Sequence, residues 1–246
     1  MSVDQIISEY DERGHVTCAP FFKSALIDKL TDTCSTWAQH VISELNDEER
    51  RWYCETDSEG TQQLRKLDNP VYHKAPFQNL ARNPELVALV ERMIGPGLSV
   101  PFSQIFFKPP RGGGPKPAHQ DNFYFGCSNR DGMVTAWIAL DAATTENGCL
   151  YFGDGTNKSD VIPHIAPEGE PYNLQIPTNL LEKIPMSPAP VARGGVSFHH
   201  GNTVHQSSDN RSPNWRRAVA IHYVNRDTEF ANPALDYDAS KRVGIS

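Results

Sequence analysis

Histidine and aspartate side chains near the middle of the chain have the spacing of a metal site. His119 and Asp121 stand two residues apart in the stretch PAHQDNFYF. If residues 118–124 are extended, the two-residue period of a strand points both side chains to the same side. A second histidine would complete a two-histidine, one-carboxylate set, which binds iron(II) and leaves positions open for other ligands. Taken alone, the pair is more typical of a surface turn.

The second histidine has four candidates in the C-terminal part of the chain, namely His199, His200, His205 and His222. His205 lies in the stretch TVHQSS, where the two-residue period places Ser207 beside it on one strand face. The residues alone leave the choice among the four histidines open.

An arginine follows eleven residues after His205, in the stretch WRRAVAIHY. The strand face of Arg216 continues through Ala218 and Ala220, so two small residues leave a slot beside an inward guanidinium. A slender dicarboxylate fits such a slot, because the guanidinium can bind its far carboxylate through two parallel hydrogen bonds. This is the co-substrate geometry that an iron/2-oxoglutarate oxygenase needs. Arg217 then faces outward.

Two helices precede the candidate residues in the chain. Residues 24–45 carry apolar side chains three or four apart, from Leu26 to Val41, which is the stripe of an amphipathic helix. A second helix is bounded by Asn83 as its cap, with a proline in the first turn, and by Gly95 at its end. We expect both helices to support a sheet and to carry no chemistry.

From Ser99 onward, short apolar or alternating runs are separated by Gly, Pro, Asn and Asp, which is the pattern of strands and turns. Helices followed by many short strands predict a mainly β fold with flanking helices, namely a double-stranded β-helix, or cupin-like jelly roll. A chain of 246 residues fits a single domain over residues 1–246. The runs predicted as strands are SVPFSQIFFK, MVTAWIALD, CLYF, GVSFHH, TVHQSS and RAVAIHYV.

Residues 153–190 interrupt this pattern with seven prolines and little periodicity. Structureless segments of this length in compact domains are usually functional or disordered. We expect either a lid over the mouth of the barrel or an insertion without a role in the chemistry, and the sequence favours neither.

Composition excludes several classes of function. The 23 basic and 30 acidic residues give a net charge of −7 without long blocks of one sign, which argues against nucleic-acid binding. A polar N-terminus and the lack of a long apolar run argue against export and membrane insertion, so we expect a cytoplasmic protein. The five scattered cysteines form no C-x-x-C motif and are expected to be reduced thiols.

The densest basic stretch is KPPRGGGPK, which contains Lys108, Arg111 and Lys116. A solvated loop is the commoner explanation for such a stretch, and contact with an anionic substrate is the alternative.

Four segments together resemble the phytanoyl-CoA dioxygenase family of iron(II)- and 2-oxoglutarate-dependent oxygenases. They are HQD at 119–121, WIALDAATTENGCLYF at 137–152, FHHGNTVHQSSDN at 198–210 and WRRAVAIHY at 215–223. The likeness extends from ISEYDERGHVTC near residue 10 to about residue 225. It implies the double-stranded β-helix, in agreement with the pattern of strands.

The resemblance also assigns roles to single residues. It places the iron ligands on His119, Asp121 and His205, and the arginine that binds 2-oxoglutarate on Arg216. On this alignment His199 and His200 support the site or the fold and bind no metal. Further co-substrate contacts fall on Trp137 and Ser207 and, through weaker local similarity, on Gln104 and Lys66.

The implied activity is hydroxylation of a small-molecule metabolite with iron(II), 2-oxoglutarate and dioxygen, which releases succinate and carbon dioxide. Two alternatives remain open at this point: a catalytically silent cupin-like protein that binds a metal or ligand, and a desaturation or cyclisation outcome with the same cofactors. After ENGCL the family commonly continues to P-G-S-H, whereas this chain reads YFGDGTNKSD from 151 to 160 and lacks that histidine. The departure concerns the substrate and leaves the metal and co-substrate positions unchanged. We expect a monomer or a homodimer.

Overall fold

A computed structural model describes residues 1–56, 60–168 and 173–246 of the chain. Two short 3-10 turns, Thr156–Lys158 and Ala239–Lys241, accompany the helices. In the described residues the helices are α1 Val3–Arg13, α2 Ser24–Glu44, α3 Asp47–Tyr53, α4 Pro70–His73, α5 Ala75–Ala81, α6 Pro84–Ile94, α7 Asp121–Phe125 and α8 Thr178–Leu181.

Most of the strands in the described residues lie after α6. The strands are β1 His15–Cys18, β2 Cys54–Thr56, β3 Gln62–Leu64, β4 Lys66–Asp68, β5 Ser99–Lys108, β6 Lys116–His119, β7 Met133–Ala139, β8 Leu150–Gly153, β9 Met186–Ala189, β10 Val196–His200, β11 His205–Ser207, β12 Arg216–Val224 and β13 Val243–Gly244.

The strands form two main antiparallel sheets. The larger has the order β1-β10-β7-β12-β5-β13, with β4 also paired to β5, and the smaller has the order β6-β11-β8-β9. Strands β2 and β3 form a separate hairpin pair. Two facing antiparallel sheets with helices packed outside are the predicted jelly roll, so the fold class expected from the sequence is confirmed.

The helices cover the outer face of the larger sheet, and the main hydrophobic core lies between them. From β12, Val219, Ile221 and Tyr223 join this core. Arg217 shares their face and binds Asp141 through two nitrogens, Nε at 2.7 Å and Nη2 at 2.9 Å. Arg217 thus lies on the outer face of the sheet, as expected, and helix α2 covers it there, with Ser35 Oγ accepting from Arg217 Nη1 at 3.1 Å.

Both predicted helices are present, and the ends of α6 follow the expected signals. The Asn83 side chain accepts hydrogen bonds from the backbone N–H groups of Glu85 and Leu86, and α6 ends before Gly95. The Asn83 side chain thereby satisfies two N–H groups in the first turn of α6. Helix α2 buries Ile27, which packs in the same core.

All five cysteines are free, as expected, and none of them forms a disulfide within the described parts of the chain. Over the same residues, no helix has the length and apolar character required to cross a membrane.

Candidate metal and co-substrate site

Three candidate ligands meet between the two sheets. His119 is the last residue of β6, Asp121 is the first of α7, and His205 opens β11, where it pairs directly with His119. The Asp121 Oδ1 atom lies 3.8 Å from His119 Nε2 and 3.7 Å from His205 Nε2. One ligand atom from each residue lies within 4.8 Å of the other two, and all three residues are buried. The structure thus brings together the three residues named from the sequence.

The route by which His119 and Asp121 meet differs from the expected one. Strand β6 ends at His119, and Gln120 is the one extended residue before α7 begins at Asp121. The expectation of an extended chain over residues 118–124 was wrong, because α7 follows and ends in Gly126 in the left-handed conformation. The two side chains still converge, since the chain is extended as far as the start of Asp121.

Both histidines are oriented by the ring nitrogen that faces away from Asp121. His119 Nδ1 donates to the Pro117 carbonyl at 2.8 Å, and His205 Nδ1 donates to the Thr203 carbonyl at 3.0 Å. The Nε2 lone pairs are therefore directed toward the carboxylate, as metal-binding histidines require. Burial lowers the pKa of His205 to about 4 and that of His119 well below its ordinary value. Both rings are neutral near pH 7, which is the form that binds metals.

The second carboxylate oxygen of Asp121 is held by side chains of the larger sheet. Oδ2 accepts from Thr135 Oγ1 at 2.6 Å and from His199 Nε2 at 3.2 Å. Burial opposes ionisation, but His205 and the hydrogen bond from His199 keep the pKa of Asp121 well below its ordinary value. Oδ2 is therefore occupied by donors, while Oδ1 is directed toward the two histidines.

A further layer is formed by His222, which the sequence named only as a candidate ligand, and by Thr135, which sequence reasoning missed. The single hydroxyl proton of Thr135 is donated to Asp121, so Thr135 Oγ1 accepts from His222 Nδ1 at 2.8 Å. The two residues are direct partners in the pairing of β7 with β12. A signal was present in the sequence, because His222 lies six residues after Arg216 and shares its strand face.

The other end of the site contains Arg216, which is 3% exposed. Its guanidinium carbon lies 5.6 Å from the centroid of the Trp137 ring. Among the described residues, no carboxylate forms an ion pair with Arg216, and its Nε has no hydrogen-bond partner. Burial lowers its pKa to about 10, so the side chain remains charged near pH 7. A buried cation without a partner is costly unless an anion binds to it.

Lys108 is the register partner of Arg216 on the neighbouring strand β5. It is 5% exposed, and its Nζ donates to the carbonyl of Gly114 at 2.7 Å and to that of Ser208. The interpretation of KPPRGGGPK as a solvated loop was therefore wrong for Lys108, because β5 extends to this residue and directs it inward. Arg111 is exposed as that interpretation expected.

One cavity of about 830 Å³ joins the two ends. Every site residue named from the sequence lines it. Strands β5, β7 and β12 contribute part of this lining. The residues named from the sequence are His119, Asp121, His205, Arg216, Ser207, Trp137, Gln104 and Lys66.

Gln104 and Lys66 meet at a carboxylate on the cavity wall. Asp68 accepts from Gln104 Nε2 at 2.8 Å and forms an ion pair with Lys66 Nζ at 3.3 Å. The Lys66 ammonium also lies 3.5 Å from the centroid of the Trp52 ring, and burial lowers its pKa to about 8. Both side chains therefore already have protein partners, unlike Arg216.

The aromatic residues after Asp121 divide between two environments. Tyr124 and Phe125 line the cavity, whereas Phe123 stacks on His164 at a ring distance of 4.0 Å. His200 binds Asp131 through Nε2 at 3.2 Å and does not line the cavity.

Comparison with known proteins identifies the family to which the chain belongs. The sequence profile of the phytanoyl-CoA dioxygenase family, PhyH, matches residues 10–218. A probable alpha-ketoglutarate-dependent hypophosphite dioxygenase from Stutzerimonas stutzeri is 28% identical over 223 residues, which cover 89% of this chain and 77% of that protein. The peroxisomal phytanoyl-CoA dioxygenase of Homo sapiens is 29% identical over 156 residues, 60% of this chain and 45% of that enzyme. The chain thus spans about half the length of such relatives.

Solved structures show the same fold at low identity. The alpha ketoglutarate dependent carbocyclase SnoK from nogalamycin biosynthesis has a TM-score of 0.76 at 20% identity, and the match covers 100% of this chain and 97% of that one. The epimerase SnoN in complex with Fe3+, alpha ketoglutarate and nogalamycin RO has a TM-score of 0.72 at 18% identity, over 92% and 84% of the two chains. These matches confirm the expected jelly roll, and the expected iron and 2-oxoglutarate agree with the family and with the His-Asp-His group.

Proposed function

The chain belongs to the phytanoyl-CoA dioxygenase family, and from that premise we propose that it is an iron(II)- and 2-oxoglutarate-dependent dioxygenase that hydroxylates a small-molecule metabolite. The observation that carries the proposal is the pairing of two features in one cavity. At one end stands the buried group of His119, Asp121 and His205, and at the other stands the buried Arg216, which has no carboxylate partner among the described residues.

The metal end fits iron(II). His119 and His205 would bind it through Nε2, and Asp121 would bind it through Oδ1, since the opposite atoms of all three side chains have protein partners. Two neutral imidazoles and one carboxylate are the donor set of non-haem iron oxygenases, which leaves positions for two further ligands. Bound iron(II) would supply the activation of dioxygen, coupled to the decarboxylation of 2-oxoglutarate to succinate and carbon dioxide.

The arginine end fits the far carboxylate of 2-oxoglutarate. Arg216 would bind this group through its planar guanidinium, and the small side chains of Ala218 and Ala220 leave room along the strand. Ser207 supplies a hydroxyl and Trp137 a flat wall beside the guanidinium. Gln104 and Lys66 would contribute from β5 and β4 of the same sheet, where Asp68 orients them.

The remaining contribution of the chain is orientation and exclusion of water. The aromatic residues Phe102, Tyr124, Phe125 and Tyr237 surround the metal end of the cavity and give it an apolar wall. A dry, shaped pocket confines a strong oxidant to the bound substrate, which is the usual role of protein around such a cofactor.

We propose hydroxylation as the outcome, because Asp121 supplies a carboxylate ligand and so leaves no room for a halide ion in its place. Desaturation or cyclisation with the same cofactors is the second candidate, favoured by the solved carbocyclase of the same fold. The substrate is a small polar or amphipathic metabolite, since the cavity of about 830 Å³ mixes aromatic and charged walls. One domain over residues 1–246, acting as a monomer or homodimer in the cytoplasm, completes the proposal.

Anaerobic addition of iron(II) and 2-oxoglutarate tests this function. The expected result is a weak visible charge-transfer absorption, followed by succinate release when air and a suitable metabolite are added. A colourless mixture and no succinate with any metabolite would instead support a catalytically silent binding protein.

Replacement of single histidines tests the ligand assignment. His205→Ala is expected to abolish the absorption, whereas His200→Ala is expected to retain it, because His200 lies outside the cavity. The opposite pattern would show that the assigned ligands are wrong.

A further inference from the structure

The proline-rich segment 153–190 makes several of its contacts with the strand that carries His119. The backbone N–H of Ile176 donates to the carbonyl of Ala118 at 2.8 Å. The Tyr124 hydroxyl donates to the carbonyl of Leu174 at 2.7 Å. These residues of the segment therefore lie against β6 and α7, on either side of the metal ligands.

Gln120 is the single residue between the two ligands His119 and Asp121, and it is fully buried. Its backbone N–H donates to His164 Nε2 at 3.1 Å, and its side-chain oxygen accepts from the N–H of Ile162 at 2.7 Å. Its side-chain nitrogen donates to the carbonyl of Asn202 at 2.6 Å. Three hydrogen bonds thus fix the residue on which the angle between the two ligands depends.

The contact from His164 requires one particular form of its ring. Nδ1 lies 2.7 Å from the carbonyl of Ile162, which can only accept, so Nδ1 has the proton. Nε2 is then unprotonated and accepts from the Gln120 N–H. The ring stacks on Phe123 at a centroid distance of 4.0 Å and an angle of 13°. Ring stacking and both hydrogen bonds are therefore compatible with a single neutral tautomer.

We propose that His164 is a positioning residue that sets the mutual orientation of His119 and Asp121 by holding the peptide N–H between them. A peptide plane that rotates at Gln120 turns both ligands, because His119 precedes it and Asp121 follows it. Among the described residues, His164 Nε2 is the acceptor that this N–H contacts, and a buried unsatisfied N–H is unfavourable. The proposal rests on the metal site of the proposed function and adds a role for part of the 153–190 segment.

Three variants of His164 separate the acceptor atom from the ring. His164→Gln keeps an acceptor oxygen near the position of Nε2, whereas His164→Asn is polar but too short to reach it. His164→Leu is apolar and has no acceptor. All three lose the stacking on Phe123, so the change in melting temperature that stacking causes is common to them.

The measurement is the affinity for iron(II) alone, titrated without oxygen and without 2-oxoglutarate, alongside the melting temperature of each metal-free protein. Partners that orient metal ligands typically change metal affinity by about 10- to 100-fold. We expect His164→Asn and His164→Leu to weaken iron(II) binding by about that factor, and His164→Gln to stay close to the wild type. If His164→Leu does not fold, the comparison of His164→Asn with His164→Gln still decides the result.

Wild-type affinity in the Asn and Leu variants would overturn the proposal, and so would an equal loss of affinity in all three variants, since the ring would then matter and not the acceptor. Failure of the proposed function looks different, because iron(II) would bind normally to the wild type while no metabolite stimulates succinate release.

Discussion

The two ends of the cavity differ in how completely the protein satisfies its own charges. At the metal end, Asp121 has donors on Oδ2, and both ligand histidines have acceptors on Nδ1. At the other end, Arg216 is equally buried but has no carboxylate partner among the described residues. The metal end is thus pre-organised by the fold, whereas the arginine end becomes electrostatically complete only when an anion enters. Mutations at the two ends should therefore have different effects on stability.

The largest loss is expected when a ligand at the metal end is removed. His205→Ala deletes one of three ligands, and we expect iron(II) binding and succinate formation to fall by more than the roughly 100-fold typical of the residues that only orient ligands. Anaerobic titration with iron(II) measures the first quantity and a succinate assay the second. Binding that stays within about tenfold of the wild type would show that His205 is not a ligand.

At the arginine end, Arg216→Met should weaken 2-oxoglutarate binding and stabilise the free protein at the same time. Truncating one partner of a buried charge pair costs about 2–5 kcal/mol, or roughly 30-fold to several thousandfold in affinity. Without ligand, however, the substitution removes a buried uncompensated charge, so the melting temperature should rise.

Two measurements check this prediction: the dissociation constant for 2-oxoglutarate with iron(II) present, and the melting temperature without either. Arg216→Lys is the control, because it keeps the charge but loses the planar fork of donors. A lower melting temperature for Arg216→Met would contradict the view that this end is incomplete without an anion.

A smaller effect is expected from Thr135→Val, which keeps the shape of the side chain but removes its hydroxyl. Asp121 then loses a donor at 2.6 Å, and His222 Nδ1 loses its acceptor. Iron(II) affinity should fall about 10- to 100-fold. Addition of 2-oxoglutarate should still raise the melting temperature of the iron-loaded protein. Unchanged iron(II) affinity in a folded Thr135→Val protein would mean that the bond from Thr135 does not orient the ligand.

The smallest effect concerns pH and the contact between His164 and Gln120. Burial, followed by nearby Lys116, lowers the pKa of His164 to about 4, while the groups in direct contact with it, Phe123, Gln120 and the Ile162 carbonyl, are neutral. An unfolded histidine titrates near 6.5, so the unfolded chain takes up this proton first as the pH falls. The contribution of the neutral His164 ring to the free energy of unfolding is thus complete above pH 6.5 and is lost as the pH falls toward 4.

The melting temperature of the metal-free protein should therefore decline less steeply between pH 6.5 and 4.5 in His164→Gln than in the wild type. The other buried histidines contribute equally to both proteins and cancel in the comparison. Parallel curves would show that His164 does not lose a proton-sensitive contact in this range.

Much of the site could be predicted because strand periodicity is local information. The alternation Arg216, Ala218, Ala220 along β12 needed no knowledge of its neighbours, and the structure places all three against the cavity or its core. The six runs predicted as strands all became strands of the two main sheets. Local patterns thus identified the walls of the cavity.

Other features depended on pairing across the sheet and could not be read from local sequence. Thr135 meets His222 only because β7 and β12 pair in one particular register. Lys108 is buried only because β5 continues to its position and pairs with Arg216. The hydrogen bond from the Gln120 N–H to His164 joins residues 44 positions apart. Its donor is a backbone group, so the residue types do not reveal it.

Strand β12 also helps to determine the length of the molecules that the cavity accepts. Arg216 and His222 lie on the same face six residues apart, which is about 20 Å at the usual rise of ~3.3 Å per residue. The three candidate metal ligands lie on β6, α7 and β11, so the distance from the metal to the guanidinium depends on the arrangement of the two sheets and on the length of the Arg216 side chain as well as on this strand. The length of diacid that the cavity accepts should therefore change when Arg216 is replaced by a residue of different reach, and also when a residue is inserted into or deleted from this strand.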